Sequence, residues 1–310
     1  MKKTELVISI RNTCNYSCVY CIGHAVKQAV VLQDLEKLEM WLNQIGGFIV
    51  SRFECGSGEP TLHPQIADFI KLFTKYGQLI IPSNNSTDPW KYIPEECAKR
   101  VRILSAFHSQ AEGLETDYIK RLLWVIRKGG MADVSFIAYP PWLQKAAHYK
   151  KIFEEAGIIF NAIPFYGEYE GIKYPEGHTK EHRSLMELGN TWYNKLIPDM
   201  EIRDFKGIPC LAGHTKLHIS EYGNLQRCLY DAIPLSGPLD KATPCSVPCC
   251  GCGLYLEELN TQTTEYWNKY LRACGLPLEE VAEKSNDEIY LENLKKYQDL
   301  MNKYQKRSQL

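Results

Sequence analysis

Apolar residues fall into short runs separated by segments of helical period. The runs over 6–10, 48–54, 78–82, 101–107, 132–139 and 158–164 are apolar along most of their length. Such runs predict short strands buried on both faces. Between them, residues 63–76 place Ile66, Phe69, Ile70 and Phe73 at i, i+3, i+4 and i+7. Residues 117–128 repeat that spacing with Ile119, Leu122, Leu123 and Ile126. Both predict amphipathic helices. Gly77, Gly129 and Gly157 stand where a C′ glycine would end a helix. Repeated βα units imply a parallel α/β sheet, with ligands at the C-terminal ends of its strands. Six units are too few for a closed eight-stranded barrel.

Past residue 167 the pattern loosens. Gly, Pro and Tyr mix, with one helix expected near 180–196 and the rest read as a connection out of the barrel. A Cys-rich unit follows. In it, 217–220 and 225–228 flank the turn Glu221-Tyr222-Gly223-Asn224 and predict a β-hairpin. The tail over 264–310 is polar and helical. Leu291, Leu294, Tyr297, Leu300, Met301 and Tyr304 form its one apolar stripe, as for a helix packed on the core. These breaks divide the chain into 1–206, 207–260 and 261–310.

Composition excludes more than it selects. A formal net charge of −1 marks no nucleic-acid or anionic-membrane binder. No apolar run approaches the roughly 18 residues of a membrane span. Met1-Lys2-Lys3 precedes only a short apolar run, with Glu5 before it, so no secretion signal is expected and the chain reads as cytoplasmic. Twelve Cys in such a chain, clustered as they are, argue for metal rather than for disulfides.

Cys14, Cys18 and Cys21 make a C-x3-C-x2-C triplet just past the first run. Tetrahedral zinc takes four ligands. A [4Fe–4S] cube takes one Cys per iron, so three leave one iron open. Past the second run the chain reads Cys55-Gly56-Ser57-Gly58-Glu59-Pro60. Together the two motifs resemble the radical S-adenosylmethionine (SAM) superfamily, and Tyr20 before the last Cys fits the same signature. The resemblance implies a partial (β/α)6 barrel, a [4Fe–4S] cluster on the triplet, and SAM on its open iron. It implies that Gly56, Ser57, Gly58, Glu59 and Pro60 hold the methionine end of SAM, chiefly through backbone. Ser57 departs from the family's glycine but is also small. Asn84-Asn85, Ser105 and His108 follow the third and fourth runs, where relatives contact the ribose and carboxylate of SAM. For each, a plain turn or strand-end role is the competing reading. Cys55, Cys97 and Cys274 read as core thiols, His63 as a helix-start residue, and His24 as a solvent-facing polar residue, with cover for the cluster loop as the competing reading. The Tyr-rich stretch over 165–174 either lines a substrate mouth or is packed connection.

Cys210, twelve residues, Gly223, four residues and Cys228 resemble the opening of the SPASM/twitch extension carried by many of these enzymes. The resemblance implies a second, auxiliary [4Fe–4S] cluster. Cys210, Cys228, Cys249 and Cys252 are the favoured ligands, and Cys250 or Cys245 could substitute. A structural zinc at the same four residues is the competing reading. The two thiols left over, Cys245 and Cys250, are candidates to return a hydrogen atom to a substrate radical.

The activity so implied is reductive cleavage of SAM to a 5′-deoxyadenosyl radical, which abstracts hydrogen from a substrate C–H bond. Oxidation through the auxiliary cluster and epimerisation through a spare thiol are both open. A flavodoxin- or ferredoxin-type donor would supply the electron. The first strand begins close to Met1, leaving no room for the leader-binding domain of many peptide modifiers. That favours a sugar-like or other small substrate. The alternative is a peptide-modifying enzyme, and a remote one is a non-enzymatic iron–sulfur or zinc protein.

Overall fold

The computed structural model describes residues 5–21, 29–48, 50–54, 58–174, 177–182, 206–207, 209–210, 212–214, 216–229, 231–241 and 243–246. Six parallel strands follow one another in space as in sequence: β1 (Glu5–Ser9), β2 (Val50–Glu54), β3 (Gln78–Ser83), β4 (Val101–Phe107), β5 (Met131–Ala138) and β6 (Ile159–Pro164). The crossovers carry α1 (Leu35–Ile45), α2 (Ile66–Thr74), α3 (Glu115–Arg127), α4 (Pro140–Leu143) and α5 (Ala146–Glu155). Alternate strand residues, among them Leu6, Ile8, Leu79, Ile81, Ile103, Phe107, Val134 and Phe136, share one buried core with all five helices. The helices therefore cover one face, as the outer layer of a partial barrel. The other face carries polar pairs: Glu5 with Arg52 and Lys216, each at 2.9 Å, and Arg102 with Asp133.

Helix α1 starts at Asp34, whose carboxylate caps the backbone N–H groups of Glu36 and Lys37. Leu38, Leu42 and Ile45 bury its inner face, and Gly46, at φ 73°, ends it. Gly129 and Gly157 have positive φ, as expected of C′ glycines, but Gly77 does not. It is glycine for space, since a Cβ there would lie 2.4 Å from the carbonyl oxygen of Phe48.

Beyond β6 come a short ribbon, β7 (Gly167–Tyr169) with β8 (Ile172–Tyr174), and then β9 (Pro209–Cys210), β10 (Lys216–Ile219), β11 (Leu225–Cys228), β12 (Asp231–Pro234) and β13 (Thr243–Pro244). The hairpin expected over 217–228 is β10 and β11, paired His218 to Gln226 and Ile219 to Leu225. It does not stand apart from the barrel. β10 pairs in parallel with β1, from Glu5 opposite Lys216 to Ile8 opposite Ile219, giving one nine-stranded sheet. Leu217, Ile219 and Leu225 join the barrel core. Backbone pairing on its outer side gives β1 partners it would otherwise lack. Among the described residues no helix is long and apolar enough to cross a membrane. The expected helix beyond residue 182 and the tail over 264–310 lie outside the described residues.

Candidate cofactor site at the C-terminal ends of the parallel strands

The Cys triplet lies in the loop leaving β1, and Glu59 in the loop leaving β2. Both loops are tied to the sheet. Ile10 N–H donates to Glu54 O at 2.9 Å, so β1 and β2 stay paired to the mouth. Glu59 N–H then donates to Thr13 O at 3.0 Å, and Asn12 Nδ2 donates to Glu59 O at 2.7 Å. The Glu59 carboxylate, buried, reaches across to β3. Its Oε1 accepts from Thr61 N, Thr61 Oγ1 and Ser83 Oγ at 3.2, 2.6 and 2.8 Å. Its Oε2 accepts from Asn84 N at 2.6 Å. One residue thus fastens three loops. Burial pushes its pKa up, against the opposing pull of these donors. The sequence pointed to Glu59 backbone; the carboxylate does as much of the fastening.

Asn84 is buried beside the triplet. Its Nδ2 donates to Asn15 Oδ1 at 2.9 Å and lies 3.8 Å from Cys14 Sγ. Cys14 Sγ also accepts from Tyr16 N at 3.4 Å. Cys21 N–H closes a turn onto Cys18 O at 3.1 Å. Burial pushes the Cys14 and Cys18 thiols up, Cys18 to about 12, and the charges of the other triplet thiols add to the shift. Thiols that oppose one another's ionisation suit a bound cation, because metal coordination deprotonates a thiol outright. Among the described residues no three His, Cys, Asp or Glu side chains form a set for a single metal ion. Asn12 Oδ1, buried two residues before Cys14, has no hydrogen-bond partner among the described residues. The donor set and this acceptor fit a cluster and a polar ligand beside it.

Tyr20 and His108 close the other side. Tyr20 Oη lies 3.1 Å from His108 Nδ1, the rings stack at 5.8 Å, and Tyr16 meets His108 edge-on at 5.9 Å. Burial brings His108 down to about 4, so the ring is neutral at pH 7. Phe107 holds the end of β4 in place, packed against Tyr118, Trp142, Tyr149 and Phe153. Ser105 is not brought to this mouth. It shares the helix-facing side of β4 with Ile103 and Phe107, fully buried, and its hydroxyl bonds that of Tyr118. Strand parity carried that signal, since Ser105 is in step with Val101, Ile103 and Phe107. His63 is a structural residue: Nδ1 accepts from Gln65 N and Nε2 donates to Val31 O, both at 3.1 Å. Phe165 and Tyr174 are buried against Tyr20, so the Tyr-rich stretch packs behind the mouth while exposed Tyr166 faces out.

Cys210, Cys228 and Cys245 lie on neighbouring segments. Cys210 pairs with Thr243, and Cys228 with Asp231. Buried Arg227 stitches these segments, donating to Thr243 O at 2.8 Å, Ala212 O at 3.4 Å and Asp231 Oδ2 at 3.3 Å. Ser246, next to Cys245, bonds the same Asp231 oxygen. His24, Cys55, Gly56, Ser57, Cys249, Cys250 and Cys252 lie outside the described residues. Gly58 and Pro60 flank Glu59 in the described part of its loop.

The chain shares the fold of part of SuiB. The structure of Streptococcus suis SuiB bound to S-adenosylmethionine aligns at 16% identity and a TM-score of 0.51, covering 74% of this chain and 60% of SuiB. SuiB bound to precursor peptide SuiA gives 15% identity, the same TM-score and the same coverage. Native anSMEcpe with bound AdoMet aligns at 15% identity and 0.49, covering 97% of this chain and 99% of its own. The chain thus spans about 60% of the length of SuiB. No protein-family model matches it, and no curated protein matches it in sequence.

Proposed function

We propose that the chain is a radical SAM enzyme. The observation that carries this reading is one mouth holding Cys14, Cys18 and Cys21, in the loop leaving β1, beside the loop that Glu59 fastens. The fold it shares with SuiB, a protein seen with S-adenosylmethionine bound, supports it. Cys14, Cys18 and Cys21 would hold a [4Fe–4S] cluster, and Gly56, Ser57, Gly58 and Asn12 would face the methionine end of SAM. When bound, these groups supply reductive cleavage of SAM and hydrogen-atom abstraction from a substrate C–H bond. The chain's own share is positioning and shelter. Glu59 fixes the loops, Tyr20 and His108 wall the mouth, and a neutral His108 adds no charge there.

A second cluster on Cys210, Cys228, Cys249 and Cys252 completes the reading. It is supported by the Arg227–Asp231 pair, which holds the segments of Cys210 and Cys228 together. Cys245 and Cys250 then remain as hydrogen-donor candidates, and a flavodoxin- or ferredoxin-type protein as the electron source. Anaerobic reconstitution should load about eight irons for two cubes. Replacing Cys14, Cys18 and Cys21 by Ala should remove about half. Reduced wild type should turn SAM into 5′-deoxyadenosine, and Cys18→Ala should not. A wild type with one zinc and no iron defeats the reading.

Two substrate classes follow. A sugar-like or other small molecule is the first. A peptide is the second, favoured by the peptide-bound SuiB structure. Faster 5′-deoxyadenosine formation with amino sugars or with short peptides separates them.

A further inference from the structure

The thiols of the triplet do not have equivalent surroundings. Cys14 Sγ faces two N–H donors, from Tyr16 at 3.4 Å and Asn84 at 3.8 Å. The Cys18 thiol instead donates to Gln110 Oε1 at 3.2 Å, and Gln110 is exposed and able to turn its amide. Asn84 has no such freedom. It is 5% exposed. Its Oδ1 accepts from Ser86 N at 3.0 Å, which fixes the sense of the amide. One Nδ2 hydrogen goes to Asn15 Oδ1 at 2.9 Å, and Asn15 is itself held by donating to Ser86 Oγ at 2.8 Å. The other hydrogen is left pointing at Cys14. The Asn84 backbone is pinned in turn by Glu59 Oε2 at 2.6 Å.

We propose that Asn84 is a positioning residue that raises the reduction potential of the cluster held by Cys14, Cys18 and Cys21, through an N–H···S bond to Cys14. This rests on the cluster reading above. The physical reason is charge. A reduced cluster places more negative charge on its sulfurs, so a fixed donor stabilises the reduced state more than the oxidised one. Burial strengthens the effect because water cannot replace the donor. Asn84 exchanges no electron or proton; it biases an equilibrium whose electron comes from an external reductant.

The test is a potentiometric titration of the full, reconstituted chain, read by the electron paramagnetic resonance of the reduced cluster with dithionite as reductant and no SAM added. The triplet's signal is the one lost when Cys14, Cys18 and Cys21 are all replaced by Ala. Asn84→Ala should lower the midpoint. At the wild-type midpoint potential its reduced-to-oxidised ratio should fall about tenfold, or about 59 mV for one electron. Asn84→Asp keeps the shape and the bond to Ser86 but loses the donor, so its midpoint should fall at least as far. Asn15→Ala, which only loosens the amide, should give a smaller shift in the same direction. A merely structural role would move melting temperatures but leave the iron-loaded Asn84→Ala and Asn15→Ala variants at the wild-type midpoint. The proposal is overturned if Asn84→Asp and Asn15→Ala load wild-type iron and titrate like wild type. A wild type without iron overturns it differently, by removing the cluster reading beneath it.

Discussion

Replacing Glu59 tests whether its carboxylate, and not only its backbone, assembles the mouth. Four donors converge on it: Thr61 N, Thr61 Oγ1, Ser83 Oγ and Asn84 N. Glu59→Gln keeps the shape but has one acceptor atom. With its oxygen in the Oε1 position, the new NH2 faces Asn84 N–H. With the amide turned over, the hydroxyls of Thr61 and Ser83 can accept from it, but Thr61 N–H loses its acceptor. Either orientation strands one buried backbone N–H, at about 1–3 kcal/mol. Glu59→Ala strands both and opens a cavity, for about 3–5 kcal/mol. Glu59→Asp, one methylene shorter, cannot reach Thr61 and Asn84 together and should fall between them. Urea unfolding of the full chain, followed by fluorescence and by far-ultraviolet circular dichroism, reads these differences. The order should be wild type, Gln, Asp, Ala, with the midpoint moving at an unchanged slope. Gln and Ala variants both within about 0.5 kcal/mol of wild type, the range of an ordinary surface change, would refute the argument.

Three further outcomes follow from separate parts of the molecule. Burial and the nearby Lys216 and Arg52 charges bring His218 down to about 4 from 6.5, so only the unfolded chain takes up its proton between those values. Stability should therefore fall as pH drops from 6.5 toward 4, by up to about 3 kcal/mol from this residue, and His218→Gln should flatten that slope in pH-dependent unfolding. Arg227→Met leaves buried Asp231 without its cation; a loss of about 3–5 kcal/mol is expected, with faster proteolysis in the 231–246 segment. Gly77→Ala would set a Cβ 2.4 Å from Phe48 O and 2.7 Å from the Phe48 ring, costing about 1–3 kcal/mol in thermal unfolding.

The parallel strands were legible because each is a local apolar run, and a local run needs no knowledge of its partners. The same holds for the triplet and the Glu59 loop, whose placement past strand ends puts them at one mouth. Helix α1 carried readable signals, the Asp34 cap and the spacing of Leu35, Leu38, Leu42 and Ile45, but no strand-like contrast to announce it. The placement of Ser105 needed only the parity of β4. Other features had no local signal. Gly77 looks like a helix-ending glycine, and the Phe48 carbonyl that excludes a side chain there belongs to another loop. Two of the four donors on Glu59, Ser83 Oγ and Asn84 N, come from positions set only once β2 and β3 are side by side.

The addition of β10 to β1 shows most clearly what local reading omits. The hairpin was visible, but its partner lies more than two hundred residues earlier, at Glu5–Ser9. The consequence is functional as well as architectural. The loop leaving β1 carries the triplet, and β1 is held on both sides, by β2 and by β10. Ser9, its last residue, bonds His218 of β10 at 2.8 Å, and Arg11 just beyond it pairs with Glu221 in the hairpin turn at 2.9 Å. The Cys228 segment continues directly from that hairpin. Cys228 is therefore joined, through β11, β10 and β1, to the root of the loop that carries Cys14. A hairpin built as a separate module would share no backbone pairing with the triplet's strand; this one does, because its strand and the triplet's strand belong to the same sheet.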